Sequence, residues 1–191
     1  MAAGLDDTAG MPPPSIDAGP LTLRPFREAD IAWVCEVSQD SAIQHNLAEV
    51  FTPYRVEHAA YFVRELAQAG WDRGRRAEFL VADAASGTRL GRVGLDLRPN
   101  DPGSAEIGYW MDPRSRNQGV ATTAVRALCR WIFTAQDLAL IEWRCEVGNL
   151  ASRRVAEKAG FLIEATLRRR LIHRGQRVDA WVGSLLRPGS P

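Results

Sequence analysis

Lysine is almost absent from this 191-residue chain: Lys158 is the only one, although Lys and Arg together number 24 against 23 Asp and Glu. Imine chemistry that needs a lysine in a pocket therefore has a single candidate. The net charge of +1 lacks the basic surplus of a general nucleic-acid binder. Cysteine is sparse too. Cys35, Cys129 and Cys145 form no Cys-x-x-Cys motif, which removes the usual zinc and thioredoxin patterns and fits reduced thiols in a cytoplasmic protein. The three histidines, His45, His58 and His173, show no metal-ligand spacing, so no metal is expected. No apolar run reaches membrane-spanning length. The N-terminus has no Lys or Arg before Arg24 and carries Asp6, Asp7 and Pro12-Pro13-Pro14, unlike a signal peptide. The expectation is a cytoplasmic protein that binds neither membrane nor nucleic acid.

Hydrophobic residues make up 46% and charged residues 25%, the balance of a globular domain. Residues 1–19, rich in Ala, Gly, Pro and Asp, read as a flexible segment. Residues 20–187 read as one domain and 188–191 as a tail. Alternation and punctuation predict strands over 21–26, 77–82, 90–97, 104–111, 139–147, 162–170 and 178–186. Helical periodicity predicts helices over 30–38, 55–69, 121–134 and 152–159, the last closed by Gly160. The order β-α-α-β-β-β-α-β-α-β-β predicts an α+β, three-layer architecture: a central mixed, mostly antiparallel sheet flanked by helices.

The segment Arg116-Asn117-Gln118-Gly119-Val120-Ala121 has the form Arg-x-x-Gly-x-Ala and lies between a predicted strand and a long helix. Gly119 lets a backbone approach a ligand closely. The first N–H groups of the following helix lack intrahelical partners and carry positive potential, which suits a pyrophosphate. Two further patterns follow in order. Asn149-x-x-Ser152 precedes Glu157-Lys158-x-Gly160-Phe161, and His173-Arg174-Gly175-x-x-x-Asp179 lies in the last hairpin. With Glu106-Ile-Gly-Tyr-Trp-Met-Asp-Pro113 upstream, the chain from Leu21 to Leu186 resembles the GNAT N-acetyltransferases of the RimJ/RimL type.

That resemblance implies acetyl-CoA as cosubstrate and a primary amine, either a peptide N-terminus or a small molecule, as acceptor, joined by direct attack in a ternary complex. It implies pyrophosphate on the backbone of Gln118, Gly119, Val120, Ala121 and Thr122, with charge from Arg116 and a lesser candidate in Arg114. It also implies pantetheine beside Trp110 and Met111 and a contact from Asn149. An amine must be neutral to attack, so a base is required. Glu106 is the leading candidate, and alternation puts it on one face with Gly108 and Trp110. Asp96 and Asp179 follow. Many family members carry a tyrosine acid seven residues after the asparagine; here that position is Ala156. Ser152 is the hydroxyl left for the departing thiolate or for the cofactor, and it can equally cap a helix.

Bland readings stand beside these. His45 is a minor acceptor-site candidate, while His58 and His173 read as structural. Tyr54, Trp71 and Trp181 read as core, Arg168-Arg169-Arg170 as a polar strand end, and Cys129 and Cys145 as core thiols. The alternatives are a coenzyme-binding module without chemistry, transfer of a longer acyl group such as succinyl, and a nucleotide loop. The last lacks Gly-x-x-x-x-Gly-Lys-Ser/Thr. A homodimer is compatible with the resemblance.

Overall fold

A computed structural model describes residues 13–47, 51–98, 101 and 103–189. Its strands are β1 (Ile16–Ala18), β2 (Leu21–Pro25), β3 (Arg76–Asp83), β4 (Arg89–Leu97), β5 (Ser104–Met111), β6 (Leu140–Glu146), β7 (Leu162–His173) and β8 (Gln176–Leu186). They form one sheet in the order β1-β2-β3-β4-β5-β6-β8-β7. Only β5 and β6 run parallel; every other neighbouring pair is antiparallel. The helices are α1 (Ile31–Val37), α2 (Ser41–Asn46), α3 (Val56–Tyr61), α4 (Ala69–Asp72), α5 (Val120–Ala135) and α6 (Leu150–Ala159).

Alternation along the strands builds the layers. Phe79, Val81, Val93, Leu95, Ile107, Ile141 and Trp143 point to one face and pack under α5 and α6, with Ala124, Val125, Leu128, Ile132 and Ala156 opposite them. Leu80, Ala82 and Trp110 point to the other face and meet Trp33, Val34, Val37, Ala59 and Val63 of α1, α3 and the turns after it. This is the expected three-layer arrangement.

Three expectations need correction. Residues 1–19 are not wholly without structure: Ile16–Ala18 pairs with Leu21–Leu23, and Asp17 accepts from the Gly19 N–H at 2.8 Å to close the turn. Residues 1–12 lie outside the described residues, as do 190–191 of the tail. The helix expected over 55–69 is not regular, since Phe62–Gln68 between α3 and α4 is π-helical. Helix α2 has no counterpart in the sequence reading. It is short and polar, and it is started by Asp40, whose carboxylate accepts from the Ile43 N–H at 2.9 Å.

The second face of the sheet also carries buried charge. Glu78 is 3% exposed, and Arg92 grips its carboxylate, with Nε at 2.5 Å. Burial pushes the Glu78 carboxyl up and the Arg92 charge opposes that shift. Two glycines make the room. Glu78 pairs across with Gly94, and Gly94 with Gly108. A Cβ on Gly94 would stand 2.2 Å from Glu78 Oε2, and one on Gly108 would stand 2.9 Å from the Arg92 guanidinium. At the sheet's other end, Asp30 is 1% exposed and binds Arg24 at 2.7 and 2.9 Å, Arg89 at 2.7 Å and the Arg27 N–H at 2.9 Å. Burial opposes its ionisation, but these donors outweigh burial and hold its carboxyl at about 2.

Gly94→Ala should therefore displace a buried ion pair and cost about 3 kcal/mol or more in urea unfolding. Asp30 titrates lower in the folded than in the unfolded chain. Its stabilisation is present above the unfolded carboxyl value and is lost as pH falls toward 2, amounting to about 2 kcal/mol. Urea unfolding of Asp30→Asn between pH 6 and pH 2.5 should show a pH dependence smaller by that amount.

Candidate active site

Strands β5 and β6 are paired only from Ser104↔Leu140 to Ile107↔Trp143. Beyond that point they part. Residues Gly108 to Met111 of β5 continue on β4, to Gly91↔Met111, while Arg144 to Glu146 of β6 continue on β8, to Glu146↔Ala180. The parting opens a wedge at the carboxyl ends of the two parallel strands, where such sheets receive ligands. The backbone of Gly108, Tyr109, Trp110 and Met111 that turns toward β6 has no strand to pair with there.

The chain leaves β5 directly into the loop before α5. Asp112 accepts from the Arg114 N–H at 2.9 Å, and Gln118 donates to the Arg114 carbonyl at 2.8 Å. Asn117 has φ 60° and Gly119 φ 79°, two left-handed residues that turn the chain into the helix. Helix α5 has no side-chain cap, and its first intrahelical donor is the Thr123 N–H, bonded to the Gly119 carbonyl at 3.0 Å. The N–H groups of Val120, Ala121 and Thr122 thus lie at an uncapped helix start next to the wedge, with the helix dipole behind them. A Cβ on Gly119 would meet nothing within 4 Å, so the glycine faces open space.

The two loop arginines are occupied elsewhere. Arg114 binds Asp112 at 2.9 and 2.7 Å. Arg116 binds Asp40 at 2.5 Å and the Met111 carbonyl at 3.3 Å, tying the loop to α2. Burial would raise the Asp40 carboxyl, but the Arg116 guanidinium and the Ile43 N–H bring it below its ordinary value. At this position Arg116 acts first as a brace between the loop and α2.

Across the wedge, Asn149 caps α6 by accepting from the Ser152 N–H at 3.1 Å. The Ser152 hydroxyl accepts from Trp143 Nε1 at 3.1 Å and lies 3.1 Å from the Tyr109 hydroxyl, which also donates to the Ser152 carbonyl at 2.8 Å. Asn149 thus has the capping role weighed from sequence. Ser152 proves to be a junction between β5, β6 and α6. Tyr109 and Trp143 were missed as site residues because aromatics on a strand facing the core look the same whether or not they hold a hydroxyl.

Residues 20–162 match the family model for the acetyltransferase (GNAT) domain. This chain belongs to the GNAT family. The Bacillus subtilis protein YdaF, provisionally named a ribosomal N-acetyltransferase, is 34% identical over 101 residues, 53% of this chain and 55% of its own length. The Escherichia coli ribosomal-protein-serine acetyltransferase is 35% identical over 65 residues, 34% of this chain and 36% of its own. The aligned stretches thus span about half or less of these relatives. A structure of Mycobacterium smegmatis RimJ in complex with CoA-disulfide superposes with a TM-score of 0.82 at 24% identity, covering 94% of this chain and 90% of that one. That likeness bears on the GNAT fold.

On the GNAT wedge's second face stand the carboxylates. Glu106 accepts from Arg98 at 2.9 Å and from Arg144 Nε at 3.0 Å, and Arg144 also reaches its other oxygen. Asp96 binds Arg76 at 2.8 Å, and Asp179 accepts from the Arg169 N–H at 2.8 Å. Glu146, absent from the sequence reading, ends β6 with its Oε2 2.5 Å from His173 Nδ1. It lines a cleft of about 420 Å³ together with His45, Asn46 and Asn149. No sequence signal pairs a strand-end glutamate with a histidine in the final hairpin. His45, expected between helices, lies on α2, with its ring 5.5 Å from that of His173.

The bland readings find physical partners. His58 Nδ1 accepts from the Arg55 N–H at 3.0 Å at the start of α3. Trp71 is buried in the core, and Trp181 lies 4.7 Å under the Arg153 guanidinium. Tyr54 packs against the second cluster. Arg168, Arg169 and Arg170 are exposed on the edge strand β7. Burial pushes the Cys129 and Cys145 thiols up to about 12, which leaves them without thiolate character at neutral pH. No group of three or more metal-ligating side chains occurs among the described residues.

Because Trp143 is 1% exposed, its indole N–H depends on Ser152. Ser152→Ala should strand that donor and lower stability by about 1–3 kcal/mol in urea unfolding, whereas Ser152→Thr, which keeps an acceptor oxygen, should lose less.

Proposed function

We propose that this GNAT protein moves an acetyl group from acetyl-CoA to a primary amine. The observation that carries the reading is the parting of β5 and β6 beside an uncapped α5. The residues present fit the coenzyme. The backbone of Gln118, Gly119, Val120, Ala121 and Thr122 offers N–H groups and helix-dipole potential to a pyrophosphate. Open space over Gly119 lets that anion approach. The unpaired edge at Trp110 and Met111 offers main-chain groups to the pantetheine amides, and Asn149 stands at the opposite side. Arg116 braces the loop and lends part of a charge already shared with Asp40.

When bound, acetyl-CoA supplies the activated acyl group; the chain supplies positioning and proton handling. Trp143 donates its N–H to the Ser152 oxygen, and because the Tyr109 hydrogen goes to the Ser152 carbonyl, the Ser152 hydroxyl in turn donates to the Tyr109 oxygen. In this reading the Ser152 hydrogen turns from Tyr109 to the departing sulfur and takes over the task that a tyrosine at position 156 performs in many relatives. The acceptor enters from the other face, under α1 and α2, where Glu106 and Glu146 are the carboxylates able to take the amine's proton. The names of the relatives favour a protein N-terminus as acceptor, and free amino acids share the same α-amine chemistry. Three free cysteines, two of them buried, support action in the reducing cytoplasm.

Calorimetry with coenzyme A tests the seat. Wild type should bind, and Gly119→Ala should weaken binding at least about tenfold, because a side chain at φ 79° costs about 1–2 kcal/mol and moves the loop. No heat with coenzyme A, together with an indifferent Gly119→Ala, would end the reading. Thiol release from acetyl-CoA, measured with tetrapeptides beginning in serine or alanine and with free L-amino acids, separates an enzyme from a coenzyme-binding module. Succinyl-CoA in parallel tests the acyl group.

A further inference from the structure

Glu146 and His173 come from elements 27 positions apart, yet Nδ1 of one lies 2.5 Å from Oε2 of the other. The His173 side chain is 11% exposed and that of Glu146 33%. His173 Nε2 is buried and has no hydrogen-bond partner among the described residues. A buried polar atom left unpaired is costly and calls for an explanation. The carboxylate can only accept, so the ring hydrogen sits on Nδ1, and Nε2 is bare in the neutral ring. Among the described residues, the one polar contact of the His173 side chain is therefore to Glu146. With Oε2 occupied, Glu146 keeps Oε1 without a partner among the described residues, beside the cleft between α2 and the start of α6.

Glu106 differs. Arg98 and Arg144 bind both of its oxygens, and Arg98 continues to Glu142 at 2.7 Å. Its lone pairs are engaged in holding β4, β5 and β6 together.

We propose that Glu146 is the catalytic base of this enzyme, that His173 is the positioning residue that orients it, and that Glu106 is an ion-pair anchor. This rests on the acetyl-transfer reading above. The acceptor's ammonium gives one proton to Glu146. The freed electron pair on nitrogen forms the bond to the acyl carbon, and the carbon–sulfur bond breaks. The sulfur leaves and ends as a thiol, its proton matched by the second one lost from nitrogen. Glu146 then releases its proton to solvent. The charged and titratable groups on the surrounding elements are His45 on α2, Arg174 in the hairpin turn, Asp179 on β8 and Arg144 on β6. Arg174 is bonded to the Gln44 carbonyl at 2.8 Å, Asp179 to the Arg169 N–H and Arg144 to Glu106. His45 is thus the one other titratable ring at the cleft among the described residues.

The test uses the full chain and the peptides and amino acids named above. Glu146→Gln should lower kcat about 100-fold at pH 7, with coenzyme A affinity unchanged by calorimetry. The deficit should shrink as pH rises toward the amine's own titration, because free amine then no longer needs a base. His173→Phe should lower kcat about tenfold with KM for acetyl-CoA unchanged, and His173→Asn, whose amide can donate near the Nδ1 position, should recover part of it. Glu106→Gln should lower stability in urea unfolding through the loss of its ion pairs, and any fall in its kcat should not shrink as pH rises. Histidine side-chain NMR of the ligand-free protein should show a protected Nδ1 proton that is lost in Glu146→Ala, which removes the acceptor oxygen. Full activity in Glu146→Gln, a pH-independent deficit, a collapse confined to Glu106→Gln, or no protected proton in wild type would each overturn the assignment. A wild type that shows the proton and binds coenzyme A but acetylates none of these amines ends the transferase reading, and this base with it. If the proton is also absent, the pair itself fails.

Discussion

The constraint on which the rest depends is that β5 and β6 run parallel for four residues and then follow different neighbours. Each strand stays saturated on its outer side, β5 by β4 and β6 by β8, so the two can separate without unravelling the sheet. Backbone groups turned into the gap are left without a strand partner, as the proposed coenzyme seat requires. The fold must then hold the gap open at a fixed width. It does so with the Tyr109–Ser152–Trp143 junction on one side and the Arg98–Glu106–Arg144 ion pairs on the other.

The two faces of the sheet divide the labour. Beneath α5 and α6 the packing is apolar, which gives the helix start a rigid base from which to point its N–H groups. The opposite face has only partial helical cover and carries charge. There the sheet accepts buried carboxylates by pairing each with arginine and by placing glycine wherever a side chain would collide. Arginine suits this work better than lysine, because its planar fork satisfies both oxygens of a carboxylate at once. The chain's strong preference for arginine has this use in Arg24, Arg92 and Arg144.

Much of the fold was legible in advance. The bounds of β5 were read correctly, the helix expected over 121–134 is α5, and Gly160 ends α6 at φ 105°. These depend on local periodicity and on backbone conformations that few residues adopt. What failed was also local in cause. Helix α2 has six residues, too few for a period to emerge, and β1 has three. Each exists because a neighbour holds it: the Asp40 cap tied to Arg116 in one case, the β2 edge in the other.

The candidate site divides in the same way. Gly119, Val120 and Ala121 could be named from the sequence because a left-handed residue at a helix start is a local property, and Asn149 because capping is. No local rule could say that Arg116 would turn to Asp40, that Glu106 would lie under two guanidiniums, or that Glu146 would meet His173. By itself the sequence determined the layers, the helix proposed to face the coenzyme and the order of the strands. Tertiary structure alone decided which charges are spent on one another and which stay available. A side chain's chemistry depends on partners brought from distant positions, and only packing chooses those partners.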